Sequence, residues 1–289
     1  MTTPIIDTHL HLIDRSRLRY PWLAGEPKLD RDFPLREYLA EADTLGIGTA
    51  LHMEVDVAAE DQEAETACVT GLGPPVIAAI AGCRPESPHF AASLERIAAN
   101  PLVRGLRRIL HQSPDELGLA PLFAENLRRL PKHGLSFDLC VLARQLPIAL
   151  HIARACPDVR FILDHCGVPD IAARALDPWR DGITRLAALP NVACKISGVV
   201  AYAGADWTPA DLRPYVEHCI AAFGWDRVVW GSDWPVCTLT ADLTQWVRAT
   251  EELTSGCTDD ERARLLSLNA RRIYRLDVAA EGARPVSGT

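Results

Sequence analysis

Short runs rich in β-branched and other apolar residues recur along the chain, and longer stretches with helical spacing separate them. The short runs predict strands at residues 5–11, 48–55, 75–81, 103–110, 135–141, 160–165, 192–197 and 227–233. Between them, amphipathic stretches such as Leu35–Leu45, Phe90–Asn100, Pro121–His133, Gln145–Cys156, Trp179–Leu189 and Asp211–Phe223 have the length of helices. Such alternation predicts βα units on a parallel sheet. Eight units within 289 residues predict a closed (β/α)8 TIM barrel. An open doubly wound sheet would bring a glycine-rich phosphate turn after its first strand, and none follows here. The barrel is expected to occupy residues 1–278, with 279–289, polar and rich in small residues, as a flexible tail. Residues 12–33, which include Tyr20-Pro21-Trp22-Leu23, have no clear period and read as a long first βα loop, a lid or binding loop.

Composition narrows the partners. A net charge of −8 excludes the basic face of a nucleic-acid binder. No apolar run approaches the roughly 20 residues that span a bilayer, and Met1-Thr2-Thr3-Pro4 leads into a strand without a signal-peptide core, so neither a membrane nor export is expected and the location reads as cytoplasmic. The nine cysteines are scattered without a C-x-x-C pair, which fits reduced thiols and not a disulfide framework. Cys140, Cys166 and Cys194, in or beside strands, read as buried structural thiols.

The candidate chemistry begins with His9 and His11, spaced i, i+2 in Asp7-Thr8-His9-Leu10-His11. Alternate strand residues share a face, so Asp7, His9 and His11 are expected on one side and Ile6, Thr8 and Leu10 on the other. Further ionisable residues gather in or just after the other strands: Glu54, Arg107, Arg108, His111, Asp138, His165, Lys195 and Asp233. In a barrel, those strand ends face the active site. The same alternation groups Phe161 and Leu163 with His165, and Val229 and Gly231 with Asp233. If those faces point inward, His9, His11, His165 and Asp233 converge. Singly, a core histidine bonded to backbone or a helix-capping aspartate would explain each, but four at four strand ends point to a site. Three imidazoles and a carboxylate suit one divalent ion, zinc first, and an aspartate among them can take a proton from water. Only one of the adjacent Arg107 and Arg108 can point inward. Trp22, Trp234 and Tyr202 can stack on a sugar face or anchor packing.

The set Asp7-Thr8-His9-Leu10-His11, Leu163-Asp164-His165-Cys166-Gly167, Cys194-Lys195-Ile196-Ser197-Gly198 and Gly231-Ser232-Asp233-Trp234-Pro235 resembles the amidohydrolase superfamily. Tyr20-Pro21-Trp22-Leu23, Arg31-Asp32-Phe33, Arg104-Gly105-Leu106-Arg107-Arg108, Phe137-Asp138-Leu139 and Arg144-Gln145-Leu146-Pro147 are similar to its sugar-lactonase branch, that of L-fuconolactonase and L-rhamnonolactonase, with 2-pyrone-4,6-dicarboxylate lactonase more distant. The resemblance runs in order from about residue 5 to 276. It implies a distorted barrel that hydrolyses a lactone, with Asp233 as base and His9, His11 and His165 polarising the carbonyl, directly or through a metal held by those four residues. Trp22, His52, Glu54, Arg107, Arg108, His111, Asp138, Lys195 and Trp234 are the expected substrate contacts. His52 stands where relatives often carry glutamine, and His111 where another polar residue is common, departures that imply a different ring substituent. Lys195 reads as an ammonium near the lactone oxygen, as a bridging ligand if carboxylated, or as a salt-bridge partner, and a mononuclear or metal-free site is favoured. Expected with this activity are a small-molecule lactone, no metal or one divalent ion, no organic cofactor, and an assembly that includes a homodimer among its options. A metal-dependent decarboxylase of the same superfamily and a barrel that binds carbohydrate without catalysis are the rival readings.

Overall fold

The structure, a computed structural model, describes residues 4–276. Eight strands, β1 (Ile5–Leu10), β2 (Ile47–Met53), β3 (Val76–Gly82), β4 (Val103–Ile109), β5 (Ser136–Cys140), β6 (Phe161–Leu163), β7 (Val192–Ile196) and β8 (Val228–Trp230), lie side by side in sequence order. All neighbours pair parallel. Just beyond the last strand the chain returns to β1: Asp233 N–H donates to the His9 carbonyl at 2.9 Å and His11 N–H to the Trp234 carbonyl at 2.8 Å. Closure at this end makes a distorted (β/α)8 barrel, as expected, and it sets Asp233 beside the two histidines.

Helices α1 (Leu35–Ala42), α2 (Gln62–Thr70), α3 (Phe90–Ala98), α4 (Asp115–Leu119), α5 (Pro121–Leu127), α6 (Leu146–Ala155), α7 (Trp179–Ala187), α8 (Pro209–Phe223) and α9 (Leu243–Leu253) alternate with the strands, and α10 (Asp259–Ala263) and α11 (Asn269–Tyr274) follow. They bury apolar residues at helical spacing, such as Trp179, Ile183 and Leu186 on α7 or Leu243, Trp246 and Val247 on α9. Their partners are the outward strand residues, among them Phe137, Leu139, Phe161, Leu163, Cys194, Val228 and Trp230. A second apolar cluster joins Ile6, Leu51, Met53, Ala78, Ile80, Ile162, Ala193 and Val229 to Ala270, Ile273 and Tyr274, so the C-terminal helix fills the barrel interior beneath the site.

This division of faces corrects two expectations. Phe161 and Leu163 belong to the outer cluster, while Ile162 faces inward, so strand alternation would have sent His165 outward with Phe161 and Leu163. In β1 the pairing register slips between Asp7 and Leu10. Ile6 packs inside, but Asp7 turns to the helical layer, where its Oδ2 accepts from the Tyr38 hydroxyl of α1 at 2.8 Å, and it does not share a face with His9. A one-residue irregularity exchanges the two faces of a strand, and the bulge does that here.

The long first loop is pinned by mutual backbone hydrogen bonds between Ile13 and Phe33, carries a 3₁₀ turn at Pro21–Gly25, and buries Leu18, Tyr20, Leu23 and Leu29. All nine cysteines are free thiols. No helix among the described residues is long and apolar enough to cross a membrane. The tail expected at 279–289 lies outside the described residues.

Gly105 marks how tightly the barrel wall is packed, because a Cβ there would lie 2.3 Å from Ser136 Oγ and 3.0 Å from Ile80 Cδ1. Gly105→Ala is expected to lower the unfolding free energy by about 1–3 kcal/mol. Urea titration checks this, and an unchanged midpoint would mean the wall yields at no cost.

Candidate active site

A chain of buried charges forms the floor of the site. Glu54, just past β2, accepts from Arg107 Nε of β4 at 2.6 Å with Oε1, and its carbonyl takes the Arg107 Nη2 at 2.5 Å. Arg107 Nη1 lies 3.4 Å from Asp164 Oδ2, and Asp164 Oδ1 lies 2.9 Å from Lys195 Nζ of β7. Lys195 also donates to Asp138 Oδ1 of β5 at 2.7 Å, and the Tyr274 hydroxyl from α11 donates to the same oxygen at 2.8 Å. The charges alternate in sign, and their side chains are at most 4% exposed. Burial works against the Arg107 and Lys195 charges, yet the carboxylates around each hold both pKa values above the usual range. Lys195 is thus an ammonium clasped by two carboxylates, poorly placed to become a carboxylated bridging ligand.

Above this floor the chain brings together His9, His11, His165 and Asp233. His9 is inward because of the β1 bulge, and its Nδ1 lies 3.2 Å from Lys195 Nζ. His11 Nδ1 donates to the Met53 carbonyl at 2.9 Å, which leaves its Nε2 with a lone pair, 3.1 Å from His9 Nε2. His165 and Asp233 both adopt left-handed backbone, with φ of 53° and 58°. For His165 the turn, not strand alternation, aims the side chain at the site, whereas alternation from the inward Val229 already reaches Asp233. His165 Nδ1 is tied to Ser197 Oγ at 2.9 Å. Burial lowers the pKa values of all three imidazoles, that of His11 to about 4, so they are neutral. Burial also pushes Asp233 up to about 6, and its Oδ2 finds no hydrogen-bond partner among the described residues.

His11, His165 and Asp233 line one side of a cavity of about 450 Å³, which the buried His9 does not border. His11, Arg107, His165 and Asp233 stand at its base, and Trp22, Glu26 and Leu29 of the first loop form the facing wall. Trp22 is fixed there by its indole N–H, which donates to the Val55 carbonyl at 2.9 Å. His111 borders the cavity with its Nδ1 3.1 Å from Cys140 Sγ. Other expected contacts lie away from the cavity wall. Arg108 points outward to Glu86 at 2.9 Å, so Arg107 is the inward member of the pair. His52 lies under the wall, fully buried with Nε2 unpartnered. Trp234 packs in the core against Phe33 and Tyr38. Glu54, Asp138 and Lys195 hold the floor without bordering the cavity. Asp164, Ser197 and the cavity residues Asp56 and Gln112 were not anticipated. Asp164 was findable: inward alternation counted from Ile162 reaches it directly.

Comparison with known proteins identifies the family of this barrel. The amidohydrolase family profile matches residues 6–276. An L-fucono-1,5-lactonase of Burkholderia multivorans is 33% identical, with 96% of this chain and 97% of that one covered. The chain belongs to the amidohydrolase family. A second L-fucono-1,5-lactonase, from Burkholderia ambifaria, is 34% identical over 66% of this chain and 68% of its own. A crystal structure of a Burkholderia multivorans amidohydrolase with bound zinc superposes with a TM-score of 0.85 at 28% identity, covering 94% of this chain and 99% of that one.

The donor set of this amidohydrolase fits one such ion. His9 Nε2, His11 Nε2 and Asp233 Oδ1 lie 3.1, 3.5 and 3.4 Å apart. Donors about 2.05 Å from a tetrahedral zinc would sit about 3.3 Å from one another. His165 groups with His9 and Asp233, one donor atom of each lying within 4.8 Å of the others. Of the far nitrogens, His11 Nδ1 is held by a carbonyl, the kind of partner that orients a metal-bound imidazole, whereas His9 Nδ1 lies between Lys195 Nζ at 3.2 Å and Asp164 Oδ1 at 3.5 Å.

Gly198 leaves room for this cluster, since a Cβ there would stand 2.3 Å from His165 Nδ1 and 3.0 Å from Asp233 Oδ2, at a φ of 64°. Gly198→Ala is expected to swing His165 off Ser197. A crystal structure of the variant checks this, and an intact His165–Ser197 hydrogen bond would contradict the close fit.

Proposed function

We propose that this amidohydrolase hydrolyses a sugar-derived lactone, an aldonolactone such as L-fuconolactone or L-rhamnonolactone, to the open hydroxy acid. The observation that carries the reading is the Asp233 carboxylate, buried and with one oxygen unpartnered, at the base of a cavity beside three neutral imidazoles. A general base needs a free lone pair and a pKa above that of an ordinary carboxylate, and burial gives Asp233 the second. Asp233 takes a proton from water, the oxygen adds to the ring carbonyl, and negative charge gathers on the carbonyl oxygen. His165, steadied by Ser197, faces that oxygen and stabilises it, and the proton held by Asp233 returns to the departing ring oxygen. A divalent ion, zinc first, held by His9, His11 and Asp233 with His165, would supply polarisation of the carbonyl. The names of the two Burkholderia relatives support a lactone. The cavity's size suits one sugar ring, with Trp22 and Tyr202 on its walls and His111 and Gln112 for hydroxyl groups.

The rival readings find less support. A decarboxylase must hold a carboxylate, and Arg107, the cation bordering the cavity, is already engaged by Glu54 and Asp164. A mere binder gains nothing from a buried carboxylate oxygen without a partner, which is costly to keep.

Two experiments test the proposal. Asp233→Asn keeps the side-chain shape and is expected to lower lactone turnover by about 10² to 10⁴ with the fold intact. A panel of aldonolactones followed by proton release decides it, and turnover near that of the wild type would move the base elsewhere. Elemental analysis should find about one zinc per chain or less, falling in His11→Ala, because the donors form a single cluster. Two ions per chain would overturn the mononuclear site.

A further inference from the structure

On the helix side of the wall that carries His165 and Lys195, three thiols meet. Cys166 follows β6, Cys194 lies on β7, and Cys219 comes from α8. All three are 0% exposed, and their sulfurs lie within 4.8 Å of one another. The lactone chemistry uses none of them. Beside them lie the Lys195 carbonyl oxygen, 3.8 Å from Cys166 Sγ and 4.0 Å from Cys194 Sγ, and the Ser197 backbone, which hydrogen-bonds Cys166. Among the described residues, no hydrogen bond or ion pair joins these sulfurs to a charged side chain.

Such a pocket selects its occupant by charge. A divalent ion on three thiolates would leave a net negative charge buried among apolar groups, which is expensive without a partner. A trivalent metalloid on three thiolates leaves none. Trivalent arsenic also needs only three donors, the number on offer. We propose that Cys166, Cys194 and Cys219 form a binding site for a trivalent thiophilic metalloid, and that filling it disables the catalytic site next door.

The chemistry balances without a redox step. Arsenous acid meets three thiols, three S–As bonds form and three As–O bonds break, and each thiol proton leaves on a departing hydroxide as water. Access comes through the turn at 165–168, where His165, Cys166, Gly167 and Val168 all have positive φ, between 47° and 70°. Cys166 lies on this turn, so local opening of the turn is the step that exposes its sulfur. Because Cys166 adjoins His165 on the same turn, drawing its sulfur toward Cys194 and Cys219 shifts His165 relative to Ser197.

The binding claim stands apart from the proposed reaction, whereas the inhibition claim rests on it, so the test reads the two separately. Sodium arsenite added to the purified chain is expected to give one arsenic per chain by mass spectrometry, with three protons lost. Lactone turnover should fall by about 10²-fold, the scale of a small misplacement of a catalytic group, and return with a competing dithiol. Cys219→Ala and Cys219→Ser should each lose the arsenic, and their turnover should be the same with and without arsenite. No mass increment in the wild type, or an increment that persists in both variants, overturns the site. Bound arsenic with undiminished turnover overturns the coupling. A wild-type chain that opens no lactone would refute the proposed reaction, while the mass increment still decides the site.

Discussion

The run of alternating charges from Glu54 through Arg107, Asp164 and Lys195 to Asp138 is the constraint on which the rest of the site depends. It links β2, β4, β7 and β5 with the turn after β6 across the barrel interior. Tyr274 attaches its end to the C-terminal helix. Ions in such surroundings survive only because each is paired, and removing one member of a buried pair typically costs about 3–5 kcal/mol. His9 lies in the middle of this arrangement, 3.2 Å from Lys195 Nζ and 3.3 Å from Arg107 Nη1. Burial and the Lys195 charge keep its imidazole neutral. A protonated His9 could neither hold a metal nor sit beside two cations, so the floor selects the chemical state that the site needs.

Irregular backbone then aims the side chains. A bulge turns His9 inward on β1, and a left-handed turn takes His165 off the end of β6. Regular alternation from Ile6 and Ile162 would have sent His9, His11 and His165 outward, and of the four only Asp233, in step with Val229, would have reached the site. Strain of this kind persists where surrounding contacts over-determine it. Asp7 provides one such contact set, taking the His9 and Ser232 amides on Oδ1 and the Tyr38 hydroxyl on Oδ2. Gly231 and Gly198 provide another by yielding space, since a Cβ on either would collide with His9 or His165.

The cavity is built from two unlike halves. Its base is the charged, nearly solvent-free end of the barrel, whereas its opposite wall is a loop whose Leu23 and Leu29 anchor it to the core while Trp22 and Glu26 border the opening. Buried ion pairs hold the barrel half, and apolar packing holds the loop half.

Much of this was legible in the chain itself. Eight apolar runs with helical stretches between them determine a parallel barrel, because no other closed arrangement buries both faces of so many short strands. Once the barrel is known, ionisable residues at strand ends must gather at one mouth, and so His9, His11, His165 and Asp233 could be named together. What the chain could not reveal was direction. A bulge or a left-handed residue exchanges inward for outward, and its cause lies in partners more than two hundred residues away, as with Asp7 and Ser232. The same limit took His52, Arg108 and Trp234 off the cavity wall, whereas Asp164 at its floor was within reach of inward alternation from Ile162. Local sequence sets which residues are available at each strand end, and only tertiary packing decides which way each one faces.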